Sequence, residues 1–204
     1  MAATYFLRSL ASTLGGAGQL TLSQQRGAAS TTAITTTTAS GTNIPVTTSA
    51  GGQALTWFTE PITSAITISG TVTVNVRGLE SANTVNAGAG FLVERTNTAG
   101  VVQSTIVADT TIPATITEYT TTDAAKTSTY TPTSTAMAVG ERIKVTLKVR
   151  NVGTMAAGTV TNSYNGPAAA ATGDTYVTFT ENVVTDEQLE GPYYRIAGAN
   201  GYKG

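Results

Sequence analysis

The sequence predicts an all-β protein: a single antiparallel β-sandwich or jelly-roll-like domain of about eight or nine strands. The clearest observation is that polar and aliphatic residues alternate over residues 142–150. The aliphatic positions are Ile143, Val145, Leu147 and Val149. This period of two is typical of a strand with one buried and one solvated face. Threonine, which is β-branched and suits strands, makes up about a fifth of the chain.

The predicted strands follow one another at intervals of about 8–12 residues, as expected for a sandwich or barrel. In chain order they cover residues 55–58, 66–76, 89–95, 101–108, 114–121, 126–131, 143–150, 159–164 and 175–183. Gly70 interrupts the apolar face of its strand and predicts a bend or bulge. The Gly-containing loop at residues 96–100 predicts a hairpin. Trp57, Phe58 and Phe179 are expected in the core.

Two segments with few core-forming side chains flank this domain. Residues 1–54 are interpreted as an extended N-terminal arm with one short strand near residues 19–23, because glycine clusters and a threonine run dominate them. Plain disorder is the alternative for this segment. The β-domain covers residues 55–185, and residues 186–204 form a polar, Gly-rich C-terminal tail.

The composition disfavours several classes of function. The chain has no histidine and no cysteine, which removes Ser-His and Cys-His nucleophile systems and the common zinc sites. Charged residues are 11% of the chain with a net charge of -1, which disfavours nucleic-acid binding. No apolar run approaches the ~18 residues of a membrane helix, and the N-terminus does not match a signal peptide. We therefore expect a soluble, unprocessed protein without cofactor, nucleic-acid or membrane partner.

Catalytic carboxylates were sought because a pair of them suffices for glycoside hydrolysis. The acidic candidates occur singly along the chain: Glu60, Glu80, Glu94, Glu118, Glu141, Asp174 and Glu181. No Asp-rich calcium loop occurs either. The sequence therefore predicts no catalytic residue, no metal site and no enzyme.

Candidate partner-binding residues fall into two groups. The polar face of the strand at 142–150 carries the cations Arg142, Lys144, Lys148 and Arg150. They are interpreted either as a solvated face that pairs with Glu94 or Glu118, or as a docking face for an acidic partner. The second group lies in the arm and tail, where exposed aromatic residues are plausible interface anchors. It comprises Tyr5, Phe6, Leu7, Arg8, Tyr193, Tyr194 and Arg195.

Short phrases of the sequence resemble virion structural proteins of tailed bacteriophages. They are residues 1–8, 57–61, 66–80, 152–155 and 173–182, so the resemblance extends over most of residues 1–184. It implies a β-sandwich or jelly-roll module on a phage particle. Capsid decoration or cement proteins of this kind are often trimers that clamp neighbouring major capsid subunits with extended termini. The resemblance carries no catalytic motif.

The resemblance leads to the expectation of a capsid decoration protein on the exterior of a virion that is assembled in the host cytoplasm. Its expected partners are the major capsid protein and further copies of itself, with a trimer favoured. One alternative is a phage tail, neck or receptor-binding fibre module. A carbohydrate-binding domain is the other.

Overall fold

The computed structural model of the protein describes residues 2–24, 32–38, 43–45, 55–108, 118–152, 156–164 and 175–186. This described part of the chain consists of strands and connections, with no helical element. The strands are β1 (Ala3–Ala11), β2 (Gln19–Ser23), β3 (Thr32–Thr38), β4 (Asn43–Pro45), β5 (Thr56–Phe58), β6 (Ile66–Ile68), β7 (Val72–Glu80), β8 (Ala87–Thr96), β9 (Val102–Val107), β10 (Ala124–Tyr130), β11 (Thr135–Met137), β12 (Arg142–Asn151), β13 (Gly158–Tyr164) and β14 (Tyr176–Phe179). The predicted all-β class is confirmed.

Most of these strands belong to one large sheet that folds over on itself as a sandwich. The sheet has 12 strands and follows the order β3-β13-β7-β14-β1-β2-β5-β12-β8-β9, with β10 beside β7 and β4 beside β12. The pairings are antiparallel except for the parallel pair of β2 and β5. Trp57 of β5 meets Tyr164 of β13 edge to face, with 5.4 Å between ring centroids, so the two halves of the sheet pack against each other. Strands β6 and β11 form a separate two-stranded sheet.

Strand β7 organises the first half of the sheet. One edge of β7 pairs with β10. The other edge pairs with β13 along Arg77–Glu80 and with β14 along Val72–Asn75. Strands β13 and β14 therefore lie end to end along β7. On their other edge, β13 pairs with β3 and β14 pairs with β1.

Strand β12 organises the second half of the sheet, as its alternation predicts. The aliphatic side chains Ile143, Val145, Leu147 and Val149 are all buried. The strand pairs with β8 along its full length and with β5 and β4 on its other edge. The predicted core residues Trp57, Phe58 and Phe179 are also buried, each 2% exposed or less. Removing this apolar surface from water is the main favourable term in folding.

The predicted bend and hairpin are both present. The chain breaks at Gly70 between β6 and β7, and the N–H of Gly70 donates to Glu181 Oε1 at 2.5 Å. The β8–β9 hairpin closes through the backbone bond from Asn97 N to Val101 O at 2.9 Å. Gly100 adopts a φ of 80° in this turn, a left-handed conformation that glycine adopts without steric cost.

The N-terminal segment differs from the predicted arm. Strands β1 and β2 are members of the main sheet, and β1 lies between β14 and β2. Tyr5 and Leu7 are fully buried, and the Tyr5 hydroxyl donates to the Val183 carbonyl oxygen at 2.9 Å. The segment lacks a core of its own, but pairing with a strand some 170 residues away supplies one. The rest of the predicted arm lies partly outside the described residues, as does nearly all of the predicted tail.

Candidate functional site

A polar cleft of about 300 Å³ opens at the end of β7 where the chain leaves that strand. Its lining residues are Glu80, Asn83, Asn86, Glu118, Tyr119 and Thr120. Glu80 ends β7, and the two asparagines lie in the connection to β8. The other three residues come from a distant segment, so the cleft exists only in the folded chain.

Backbone hydrogen bonds hold the distant segment in place. The Glu80 N–H donates to the Thr120 carbonyl oxygen at 3.0 Å, and the Tyr119 N–H donates to the Ala87 carbonyl oxygen at 2.8 Å. Glu118 also forms an antiparallel bridge with Gly88. The segment is thus fixed between the end of β7 and the start of β8. Because neighbouring side chains of an extended chain alternate, Tyr119 is buried while Glu118 and Thr120 stay nearer to solvent.

The connection from β7 to β8 shapes the other wall. A turn is closed by the bond from Val85 N to Ala82 O at 2.9 Å. Asn86 has a φ of 52°, a left-handed conformation that asparagine tolerates better than most residues. Its side-chain amide donates to the Thr84 carbonyl oxygen at 3.1 Å. The sequence Asn83 to Asn86 therefore folds into a compact turn with amide groups at the cleft.

Glu80 is the most unusual group of the cleft. The residue is 1% exposed, and its Oε2 accepts a hydrogen bond from the Ala87 N–H at 3.2 Å. Burial raises the pKa of Glu80, and the Ala87 hydrogen bond opposes this effect. The negative charge of Glu118 raises the pKa further, whereas Lys126 lowers it. The two carboxyl groups therefore interact electrostatically and have different surroundings.

Tyr119 forms the floor of the cleft and is hydrogen bonded beneath it. Its hydroxyl donates to Asn162 Oδ1 at 2.6 Å, and burial raises the pKa of Tyr119 above the range in which tyrosine ordinarily ionises. Asn162 is fully buried, and its Nδ2 has no hydrogen-bond partner among the residues that the structure describes. Gly78 allows this packing, because a Cβ atom there would lie 3.0 Å from Tyr119 Cε1 and 2.7 Å from the Thr161 carbonyl oxygen.

A pair of carboxyl groups, one protonated and one ionised, is the arrangement that acid–base hydrolysis uses. The protonated member donates to a leaving group, and the ionised member activates water or attacks. Within the described ranges no three metal-binding side chains come together. The carboxyl and amide groups of the cleft can transfer protons and form hydrogen bonds.

Sequence reasoning named Glu80 and Glu118 but treated both as isolated surface charges. Their approach depends on the pairing of residue 80 with residue 120, which has no local signature in the sequence. The predicted strand at 114–121 gave the correct general location. Only residues from 118 onward of that strand belong to the described part of the chain.

The predicted cationic face is mostly paired within the chain. Lys144 Nζ contacts Glu94 Oε2 at 2.8 Å, the cross-strand pair that the register of β12 and β8 requires. Arg142 is 6% exposed and donates to the Thr59 carbonyl oxygen at 2.8 Å. Lys148 is half-buried, and the side chain of Arg150 lies outside the described set. A partner-binding role of this face stays a prediction.

The aromatic candidates are separated by the structure. Tyr5 and Leu7 face the core, whereas Phe6 and Arg8 lie on the outer face of β1 and are partly exposed. Phe6 packs edge to face on Tyr176, with 5.8 Å between ring centroids. Tyr193, Tyr194 and Arg195 fall outside the described residues. No helix in the described ranges has the length and apolar character needed to cross a membrane.

Several solved structures of similar fold are hydrolases. No protein-family model and no curated protein matches the sequence. A CocE/NonD family hydrolase from Staphylococcus aureus aligns with a TM-score of 0.54 at 9% identity, over 88% of this chain and 36% of the hydrolase. An aminopeptidase from a marine sediment Thaumarchaeota archaeon aligns with a TM-score of 0.57 at 9% identity, over 89% and 37%. An alpha-amino acid ester hydrolase aligns with a TM-score of 0.51 at 12% identity, over 87% and 36%.

These structures correct the expectations drawn from the resemblance. The predictions of a phage virion protein and of a capsid decoration function are wrong, since the similar structures are hydrolases rather than virion proteins. The prediction that the chain is no enzyme is contradicted by the same structures. Short segments rich in threonine, alanine and glycine do not distinguish one β-protein family from another, because many exposed β-strands share this composition. The predicted homo-oligomer and the predicted location stay untested.

The chain spans a little over a third of the length of the hydrolases that it resembles, and this likeness shows the fold.

Proposed function

We propose that this chain is the β-sandwich domain of a hydrolase and acts beside a catalytic domain carried outside these 204 residues. The observation that supports this most directly is the coverage. Almost nine tenths of the chain aligns with 36–37% of each of the three hydrolases, so in those proteins this fold is one part of a larger enzyme.

The composition of the chain agrees with such a division of labour. Hydrolysis of esters and amides by a Ser-His or Cys-His system needs an imidazole, and this chain has no histidine and no cysteine. A Ser-His or Cys-His centre must therefore be supplied by residues outside these 204. In this role the β-sandwich supports the catalytic domain and shapes the approach of substrate.

Purification of the tagged chain from its own host tests this proposal. Hydrolysis of amino-acid esters and aminoacyl anilides is the suitable assay, because two of the similar structures are an amino acid ester hydrolase and an aminopeptidase. We expect the activity to co-elute with the tagged chain and to be missing from the recombinant chain alone. Absence of hydrolytic activity from the native preparation would contradict the proposal.

The cleft at Glu80 supports a second candidate function. The specific observation is that the pKa of Glu80 is raised by burial and by Glu118, which is what a general acid needs in order to remain protonated at a higher pH. In this alternative the chain itself hydrolyses a bond, with Glu80 as acid and Glu118 as base or nucleophile.

The recombinant chain distinguishes the two candidates. If the cleft is catalytic, the isolated chain hydrolyses substrate, and both Glu80→Gln and Glu118→Gln reduce the rate by about 10²–10⁴-fold. The rate of the wild type then falls as the pH rises through the raised pKa of Glu80, because the acid loses its proton. The matched control is Glu94→Gln, which removes a carboxylate that pairs with Lys144 away from the cleft. No turnover by the wild type excludes this candidate for the substrates tested.

A further inference from the structure

One outer face of the sandwich is dominated by threonine. It comprises outward side chains from four adjacent positions across the sheet. These positions are occupied by β10, by β7, by β13 and β14 end to end, and by β3 and β1 end to end. We call it the threonine face, and its residues are Thr4, Phe6, Thr35, Thr73, Asn75, Thr127, Thr129, Thr161, Tyr176 and Thr178. These side chains share a face because side chains along a strand alternate between the two faces of the sheet.

The register of the strands aligns these residues in rows. One row consists of threonine alone and runs across four adjacent strands: Thr129, Thr73, Thr178 and Thr4. The next row consists of Thr127, Asn75, Tyr176 and Phe6. Side chains directly opposite each other on neighbouring strands lie about 4.5–5.5 Å apart, so the rows are regular. The threonine face is therefore a flat array of hydroxyl, amide and aromatic groups.

Neighbouring hydroxyls of this face hydrogen bond to one another. Thr4 Oγ1 and Thr178 Oγ1 are 2.9 Å apart, and so are Thr35 Oγ1 and Thr161 Oγ1. Thr127 Oγ1 donates to Asn75 Oδ1 at 2.9 Å. A hydroxyl offers one donor and two acceptor positions, so each retains bonding capacity outward.

The charge of this face differs from that of the other half of the sheet. Neither of the two rows contains a charged residue, and at their border Arg77 is neutralised by Asp123 at 2.7 Å. The other half of the sheet carries the ion pairs Lys144–Glu94 and Arg142–Glu60. Protein interfaces are depleted in Lys and Glu and enriched in aromatic residues and Arg at their centres. The threonine face agrees with this in lacking Lys and Glu in its two rows and in carrying two aromatic residues, Tyr176 on an inner strand of the face and Phe6 on its outermost strand, with Arg77 at the border.

We propose that a second copy of this chain docks on the threonine face and forms a two-fold symmetric dimer. A two-fold interface brings the same patch of both copies together, so the patch must be complementary to itself. Hydroxyl groups meet this requirement because they both donate and accept, and a face without net charge avoids opposing like charges. Four strands at ~4.8 Å and nine residues of β7 at ~3.3 Å give a face on the order of 600 Å². This approaches the ~800 Å² per partner of a standard interface.

Sedimentation velocity of the purified chain over a wide concentration range tests this proposal. We expect a dimer for the wild type and a monomer for the double variant Thr73→Lys/Thr178→Lys, because two lysines from each copy then oppose each other. The matched control is Gln103→Lys/Thr105→Lys, two exposed positions of β9 at the far edge of the sheet, which should remain dimeric. Circular dichroism checks that each variant is folded. A wild type that is monomeric at every concentration overturns the proposal, as does a dimer that persists in the folded Thr73→Lys/Thr178→Lys variant.

A cross-linking measurement covers the case in which the lysine variant does not fold. The chain has no cysteine, so a single introduced thiol is the only one present. With a short bismaleimide, we expect Thr73→Cys, on an inner strand of the threonine face, to yield covalent dimers and Thr105→Cys on β9 to remain monomeric. Equal cross-linking of the two variants, or cross-linking of Thr105→Cys alone, overturns the assignment of the dimer to this face.

Discussion

Two carboxyl groups of this fold, Glu181 and Glu80, have pKa values shifted in opposite directions. Burial raises the pKa of Glu181, but hydrogen bonds from the N–H groups of Ser69 and Gly70 outweigh it, so the pKa lies below its usual value. Glu80 accepts one such bond, from Ala87, and there burial outweighs it. Several hydrogen bonds therefore lower the pKa of Glu181, whereas burial and the charge of Glu118 outweigh the single backbone hydrogen bond at Glu80.

We expect Glu181→Gln to lower the free energy of unfolding by about 1–2 kcal/mol at pH 7, since charged hydrogen bonds become neutral ones. A folded-state pKa below the unfolded value means that the stabilisation is present above the unfolded pKa and is lost as the pH falls through the folded pKa. Urea denaturation of both proteins should therefore show a difference at pH 7 that shrinks in acid. Asp186→Asn, at an exposed position, serves as the control. A difference that is independent of pH would contradict this role of Glu181.

The opposite sign holds for Glu80. Its raised pKa means that its favourable contribution is complete below the unfolded pKa and is lost as the pH rises through the folded pKa. Glu80→Gln keeps an acceptor for the Ala87 N–H and removes the charge. We therefore expect the melting temperature of this variant to exceed that of the wild type at pH 7 and to equal it near pH 3. A lower melting temperature at pH 7 would show that the charged form is the favourable one.

The structure leaves no room for a side chain at Gly78. A Cβ atom there would lie 2.7 Å from the Thr161 carbonyl oxygen, which is fixed backbone, and 3.0 Å from Tyr119 Cε1. We expect Gly78→Ala to lower the free energy of unfolding by about 1–3 kcal/mol. Chemical denaturation measures this, with Thr105→Ala at an exposed position of strand β9 as the control. Equal stability of the two variants would mean that the sheet adjusts without cost.

At the scale of elements, strand β1 makes the N-terminal segment part of the hydrophobic core. Its alternation places Tyr5 and Leu7 inside, while the outward residues face solvent in part. The strand pairs with β14 through Ala3–Phe6 and with β2 through residues 6, 7 and 11. The first strand therefore joins the last strand of the described chain, β14, to β2 and leads from one half of the sheet to the other.

Two leucines of β1 provide a matched test of this role. Leu7 is fully buried and Leu10 is 56% exposed. We expect Leu7→Ala to lower the free energy of unfolding by about 2–5 kcal/mol and Leu10→Ala to change it by less than about 0.5 kcal/mol. Urea denaturation of the two variants gives both values. Similar small changes for both would mean that β1 behaves as a detachable arm.

At the scale of the whole molecule, the sandwich is closed by contacts between distant parts of the chain. Strand β14 lies between β7 and β1, so the end of the domain fills a gap in a layer made from earlier strands. Thr175 Oγ1 donates to the Ser163 carbonyl oxygen and accepts from the Arg77 N–H, which connects β14 to both β13 and β7. Such non-local pairing slows folding, because the entropy of closing long loops must be lost first.

A chain truncated after residue 174 lacks β14 and should not fold. Its loss leaves edges of β7 and β1 unpaired and exposes the buried side chains around Phe179. We expect a circular dichroism spectrum without the β signal and rapid cleavage by protease, in contrast to the full chain. A truncated protein with a cooperative thermal transition would show that β14 is dispensable.

The elements that sequence alone predicted share a local signal. Strand β12 alternates strictly, the bend lies at a glycine between β6 and β7, and the β8–β9 hairpin has a short loop with Asn97 and Gly100. Each signal depends on the pleat or on the backbone freedom of glycine, which are properties of a few neighbouring residues. Of the two acidic partners that the sequence offers the cationic face, Glu94 and Glu118, the structure pairs Glu94 with Lys144, because the two residues lie opposite each other in register.

The sequence by itself determined that this protein is built from strands, that its apolar alternation fills one core, and that no imidazole or thiol chemistry occurs within it. Only the tertiary structure decided that β1 belongs to the sheet, that Glu80 meets Glu118 in a cleft, and that threonines from four adjacent positions across the sheet form one face. The physical reason is the range of the interactions. Alternation is fixed by the backbone of each strand. Strand order and the charges that come to lie near one another depend instead on which distant segments pair. The pairing that forms is the one that minimises the free energy of the whole chain.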